Sequence, residues 1–264
     1  MADQIGIPAA YMRGGTSKGL LFDKKDLPSD REKLTKFLLT VMGSPDLRQI
    51  NGMGGATSVT SKVCIVSKSD IKNVDLDYFF AQVSVDQSIV DYGPTCGNML
   101  SAVGPFAIER GLVQAKNPKT TIVIRSVNTG SIIEADIPTP NNKITYSGQF
   151  KIAGVPGSGS PILLKFKNIV GGSTGKLLPT GQPTIQIEGI EVTCLDVSMP
   201  IVMANASDFG IKGNETSEEL NNNKSLLEKI EKIRLLAAIE MGMGDVRDKV
   251  IPKFALLSKS CNGG

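Results

Sequence analysis

Lys62, Cys96 and the turn Arg13-Gly14-Gly15-Thr16-Ser17-Lys18 are the places in this 264-residue chain where residue type and neighbourhood together admit chemistry. The sequence contains no histidine. Imidazole acid–base work, Ser–His and Cys–His nucleophile pairs and most zinc sites are thereby excluded. Proton transfer must fall to lysine, cysteine, a carboxylate or tyrosine. Cys96 stands in DYGPTCGNMLSAVGPF, at the start of a segment apolar almost all round. A helix N-terminus there would stabilise a thiolate, and the amides of Gly97, Asn98 and Met99 would be free to hold an anion. A free cysteine can equally be a small core residue. Lys62 follows GGATSVTS and opens the apolar run KVCIV. In a closed pocket it would lose hydration and become a usable base; at an exposed strand end it would simply be solvated. In MRGGTSKG, a tight Gly14-Gly15 turn gathers Arg13, Ser17 and Lys18, and turn amides with a hydroxyl and a cation suit a carboxylate. A solvated hairpin turn has the same composition.

Two other glycine-rich stretches read as turns. VGGSTGKL has Val170 where a phosphate loop needs its first glycine and Leu177 where it needs Ser or Thr, and VPGSGSP runs into Pro161 instead of a helix. The four cysteines, Cys64, Cys96, Cys194 and Cys261, are widely spaced with no CxxC pair. That spacing, with no signal peptide ahead of it, argues against disulfides and places the chain in the cytoplasm. Charge is nearly balanced, 29 basic against 26 acidic residues, without a basic run, so a nucleic-acid surface is not expected. No 18-residue apolar run suggests a membrane span.

Many short β-runs must position these residues: IPAAYM, GLLF, KVCIV, YFFAQVSV, TTIVIRSV, SIIEADIP, KITYSGQF, TIQIEGIEVTCLDV and PIVMANA. Helical spacing predicts one helix over 29–43, capped by Ser29 and ended by Gly43, and a buried one over 97–110. A third helical region spans residues 216–242 and is broken near the Asn run 221–223. Strands predominate and the helices do not alternate with them, which makes the class α+β. The turn-rich stretch 171–184 is the expected boundary between domains 1–180 and 181–264.

MRGGTSKG, GSPDLRQINGMGGATSVTSK, VDYGPTCGN with GPFAIERG, GVPGSGSP and GKLLPTG, at these separations, are together specific. The chain resembles the methylaconitate/methylitaconate isomerase family, the PrpF-like group, over essentially its whole length. That resemblance implies the diaminopimelate epimerase-like fold, in which each domain wraps a β-sheet around a central helix. It implies that Lys62 and Cys96 face a substrate from opposite sides. It also sets Arg13, Ser17, Lys18, Thr60, Ser61, Gly97, Asn98 and Met99 among the substrate-binding positions. The implied substrates are small unsaturated di- and tricarboxylates of the methylaconitate, methylitaconate, aconitate or oxalomesaconate type, with no metal or organic cofactor.

Family members are longer, and the chain ends at KFALLSKSCNGG, inside what would be the second domain. An incomplete second domain is therefore expected, with the apolar stripe Leu226, Leu227, Ile230, Ile233 and Leu236 left bare or covered by another copy of the chain. Two other readings compete with the isomerase. One is a two-cysteine racemase or epimerase, which needs a second thiol facing Cys96 from Cys194 or Cys261. The other is a non-catalytic fragment that only binds a carboxylate.

Overall fold

Residues Gly97–Glu109 form the helix α2, and its composition dictates its surroundings. Met99, Leu100, Val103 and Phe106 are at most 1% exposed, so a helix with no polar face is enclosed on nearly every side. The computed structural model describes residues 4–167 and 169–260 and divides the chain into two units, Met1–Lys167 and Asn168–Gly264. The segment 171–184 folds with the second unit. None of the helices described is long and apolar enough to cross a membrane.

In the first unit, α2 is wrapped by an eight-stranded sheet. Its strands are β1 (Ala10–Gly14), β2 (Ser17–Asp23), β3 (Lys62–Lys68), β4 (Leu76–Val83), β5 (Val90–Asp91), β6 (Lys119–Ser126), β7 (Ile132–Pro138) and β8 (Leu163–Phe166). They run in the order β1-β2-β3-β4-β6-β7-β8, with β5 also paired to β4. The register sets Gly19 beside Lys62 and Lys62 beside Gln82; the next inward row is Leu21, Cys64 and Phe80. Side chains alternate across a sheet, so this row faces α2 and joins Met99, Leu100, Val103 and Phe106 in one core. The intervening residues Leu20, Phe22, Val63, Ile65 and Ala81 face the other way, onto Leu34, Leu38 and Met42 of the helix α1 (Arg31–Met42). Burying each of these side chains larger than alanine contributes roughly 1.5–3 kcal/mol. The two cores clamp β2, β3 and β4 from both sides, and the first two of these strands carry Ser17 and Lys62.

The second unit has a four-stranded sheet, β12-β11-β10-β9, made of β9 (Ile185–Ile187), β10 (Ile190–Val197), β11 (Met199–Asn205) and β12 (Lys253–Leu257). Two helices, α3 (Ser217–Asn222) and α4 (Lys224–Glu240), meet at the Asn run as the sequence suggests, with Asn223 capping α4. The stripe on α4 is not bare. Leu226 and Ile233 are buried against Val192, Cys194 and Val202, with Ile230 and Leu236 packed around them; only Leu227 stays exposed. The small sheet supplies the cover that the sequence reading assigns to absent segments.

Other expectations need correction. α1 is capped by Asp30, whose carboxylate accepts from the Lys33 amide at 2.9 Å, and not by Ser29. Gly43 does end the helix, in the left-handed conformation at φ 80°. KITYSGQF alternates like a strand but makes only one bridge, Phe150 to Gly159, because it folds back on 159–160 and joins no sheet. Conversely, β8 and β12 lie in stretches not read as strands.

Asp136 on β7 shows how the sheet surface is tied. Its Oδ2 lies 2.9 Å from both Lys119 Nζ and Lys165 Nζ, and Thr121 donates to Oδ1 at 2.7 Å. The bonds from Lys119, then Thr121 and Lys165, hold its carboxyl well below the usual carboxylate range. A depressed folded pKa stabilises above the unfolded value, about 3.9, and that stability is lost as pH falls through the folded value. Asp136→Asn should therefore narrow the drop in melting temperature between pH 7 and pH 3. Thermal melts with the same drop in both proteins would show that the cluster contributes nothing.

Candidate active site

Cys96 is the N-cap of α2. Its backbone is extended, φ −130° and ψ 104°, and its Sγ accepts from the Met99 amide at 3.5 Å. The amides of Gly97 and Asn98, at the first positions of the helix, have no acceptor within it. Both residues are exposed, and Cys96 is half-buried. The segment leading to Cys96 is fixed from below by the sheet. Tyr78 donates its hydroxyl to the Cys96 carbonyl at 3.1 Å, and Ser126 donates to Thr95 at 3.1 Å. The Asn128 amide accepts from Phe80 N–H at 2.8 Å and donates to the carbonyls of Phe80 and Tyr92 at 2.9 and 2.8 Å.

The three free thiols among the described residues differ sharply. Burial pushes Cys64 far above the ordinary thiol range and Cys194 up to about 11. Both are core residues, on β3 and β10. Cys96 alone is neither buried nor within a strand.

Lys62 opens β3 and is only 9% exposed. Its Nζ donates to Gln82 Oε1 at 2.7 Å and lies 5.2 Å from the centre of the Phe80 ring. Of the two sequence alternatives, the solvated strand end is therefore set aside. Cys64, two residues along β3 and on the same inward face as Lys62, belongs to the core against which Cys96 packs.

The MRGGTSKG turn joins β1 to β2 and presses on the mouth of α2. A Cβ on Gly14 would lie 2.5 Å from the Asn98 carbonyl oxygen and 2.8 Å from Met99 Cα. Gly15 has φ 51°, and a Cβ there would meet Asn98 Oδ1 at 2.2 Å. Asn98 Oδ1 also accepts from the Thr16 amide at 3.3 Å, fastening turn to helix. Gly14→Ala is accordingly expected to cost more than about 1 kcal/mol of stability, in the range for overpacking. Gly6→Ala, where nothing lies within 4 Å, is the control. Equal denaturation midpoints for the two variants would contradict the close approach.

The register separates the polar residues of this turn. Gly14 pairs with Ser17 and Arg13 with Lys18, so Ser17 faces inward with Lys62, whereas Arg13 and Lys18 face outward. Ser17 is 2% exposed, and its Oγ has no partner. Arg13 instead donates to the Gly15 carbonyl at 2.7 Å, and Lys18 Nζ lies 5.2 Å over the Tyr11 ring. The hydroxyls of Thr60 and Ser61 are already engaged. Thr60 bonds Thr57 at 2.8 Å, and the fully buried Ser61 accepts from Gln49 Nε2 at 2.7 Å. They brace the approach to Lys62.

Four residues overlooked in the sequence hold the site together: Gln49, Tyr78, Gln82 and Asn128. Gln49 is 1% exposed, and besides Ser61 it bonds Ser44 and the Ala56 amide. Gln82 and Tyr78 had a usable signal, since polar groups at positions 78 and 82 share the inward parity of the apolar run YFFAQV. VGGSTGKL is a turn, and its amides are spent internally: Ser173 and Thr174 donate to Asp196 Oδ2 at 2.9 and 2.7 Å. Among the described residues, no group of three or more His, Cys, Asp or Glu could hold a metal ion.

The family described as PrpF protein matches residues 4–263. The 4-oxalomesaconate tautomerase of Pseudomonas putida is 48% identical over 261 residues, covering 99% of this chain and 72% of the relative. The 3-methylitaconate isomerase of Eubacterium barkeri is 41% identical over 247 residues, 92% of this chain and 65% of the relative. The crystal structure of a methylitaconate-delta-isomerase superposes with TM-score 0.82 at 41% identity, covering 92% of this chain and 64% of that one.

Proposed function

The chain belongs to the PrpF protein family, and on that premise we propose that it is an isomerase of small unsaturated di- or tricarboxylates. Lys62 and Cys96 carry out a 1,3-proton transfer. An allylic C–H beside a double bond conjugated to carboxylate is acidic because its carbanion is delocalised over three carbons and the carboxylate. One residue removes the proton, and the other returns a proton at the far end of the three-carbon unit. In the reverse direction the roles exchange, so each residue serves one carbon as base and as acid. The amides at the start of α2 lie where an anion is stabilised.

The observation that carries this reading is the Ser17 hydroxyl. It is 2% exposed and unpartnered, beside the mouth of α2 and on the same sheet face as Lys62. An unpaired buried hydroxyl costs roughly 1–3 kcal/mol, and a carboxylate bound across Ser17 and the helix amides would offset that cost. Arg13 and Lys18 contribute positive field from the outer face of the turn and do not touch this carboxylate directly.

The higher identity to the oxalomesaconate tautomerase than to the methylitaconate isomerase favours a tricarboxylate of the oxalomesaconate type. The test is solvent deuterium incorporation, by NMR, into a panel of oxalomesaconate, methylaconitate, aconitate and methylitaconate. Deuterium in none of them would end the reading. The two-cysteine racemase is disfavoured because Cys194 is 1% exposed in the core of the second unit. Cys261 lies outside the described residues.

A further inference from the structure

Gln82 interrupts the run Tyr78-Phe79-Phe80-Ala81-Gln82-Val83 and stands directly across from Lys62 in the β3–β4 register. Both hydrogens of its amide nitrogen are committed, to the Ser58 carbonyl at 3.0 Å and the Ser61 carbonyl at 2.9 Å. The amide cannot flip without losing both bonds and turning donors onto the lysine. Its oxygen is therefore fixed toward Lys62 Nζ, 2.7 Å away. An amide oxygen only accepts, so it holds one lysine N–H whether the side chain is ammonium or amine. A neutral amine has one lone pair. With one N–H pinned to Gln82 and the Phe80 ring on another side at 5.2 Å, the directions left to that lone pair are few.

We infer that Gln82 is a positioning residue that orients the Lys62 amine toward the mouth of α2. The inference rests on the reading of Lys62 as a proton-transfer group. Gln82 touches the lysine and not the reacting carbons. Its two donor bonds end on the carbonyls of Ser58 and Ser61, the segment that leads into Lys62. One amide therefore ties the lysine's head and its backbone approach to the same strand. Ionisable groups on the same inward sheet face are Cys64 on β3, Tyr78 on β4, which bonds the Cys96 carbonyl, and Asp91 on β5, which pairs with Gln82. Burial favours the neutral forms of Cys64 and Tyr78.

The test needs no substrate in its first arm. Lys62 is acetylated by acetic anhydride across a pH series and read by peptide mass spectrometry, in wild type, Gln82→Met and Gln82→Glu. A carboxylate at position 82 would hold the ammonium by a charge-assisted bond. Labelling in Gln82→Glu should move to higher pH and be about tenfold slower near neutrality, since one pH unit is tenfold. Gln82→Met, with no acceptor, should label faster than wild type.

In the second arm, Gln82→Met should lower kcat for isomerisation at least about tenfold, the size expected for losing a bond to a charged group. KM should stay within about twofold, a split that loss of fold would not produce. Superimposable labelling profiles in all three proteins, or wild-type kcat in Gln82→Met, would overturn the inference. If Gln82→Met does not fold, the displaced labelling profile of Gln82→Glu decides alone. A wild type that labels as expected yet isomerises none of the carboxylates would overturn the function and leave the positioning intact.

Discussion

Replacing Lys62 by alanine is expected to lower isomerisation by about 10²–10⁴-fold, the usual contribution of one positioned acid or base. The loss should fall on kcat, because the carboxylate site we propose, at Ser17 and the amides of Gly97 and Asn98, lies elsewhere. The more telling readout is the position of exchange. If Lys62 serves one end of the three-carbon unit and Cys96 the other, Lys62→Ala should still wash deuterium slowly into the carbon that Cys96 serves. The other carbon should stay protium. Equal residual exchange at both carbons would mean that one residue does all the work. Undiminished turnover would remove Lys62 from the mechanism.

Cys96→Ser should lose activity on a similar scale, about 10²–10⁴-fold, while leaving the fold as stable as before or slightly more so. The reason is the double duty of the position. As an N-cap, the thiol accepts from the Met99 amide over a long 3.5 Å contact, and serine is among the best residues for that task. As a proton carrier, a free thiol titrates at about 8.5 and a serine hydroxyl far higher. Capping survives the substitution and proton transfer does not. A variant with lost activity and a markedly lower melting temperature would place Cys96 among the structural residues. Unchanged kcat with raised KM would make it a binding group.

Much of the candidate site could be picked out because its residue types are written locally. TCGN before an apolar helix names both the thiol and the amides, and a lysine opening KVCIV is conspicuous in a chain without histidine. The α+β class and the enclosed central helix followed from strand runs and from a helix with no polar face. What could not be read is register. Arg13, Ser17 and Lys18 are neighbours in sequence, but pairing Gly14 with Ser17 sends the serine inward and both cations outward. Nothing local states that pairing. Gln49, Gln82 and Asn128 escaped for a related reason: each bonds segments distant in sequence, and an amide's composition does not tell which backbone it will reach. The cover over α4 was missed because it comes from Val192, Cys194 and Val202 on β10 and β11: those strands were legible, but nothing local states that the helix folds back onto them.

The turn that follows Val170 contrasts with the mouth of α2, where the amides of Gly97 and Asn98 have no acceptor within the helix. Its amides close on Asp196, a residue of the same chain, through three bonds to one carboxylate oxygen, from Ser173 N–H, Thr174 N–H and Thr174 Oγ1. A tethered carboxylate competes at an effective concentration of about millimolar or more, and here it is buried, 1% exposed, besides. Free phosphate or a substrate carboxylate meets a competitor that never dilutes and cannot diffuse away. This turn is thus quenched by its own side chain, and it is no rival to the anion site proposed at the mouth of α2.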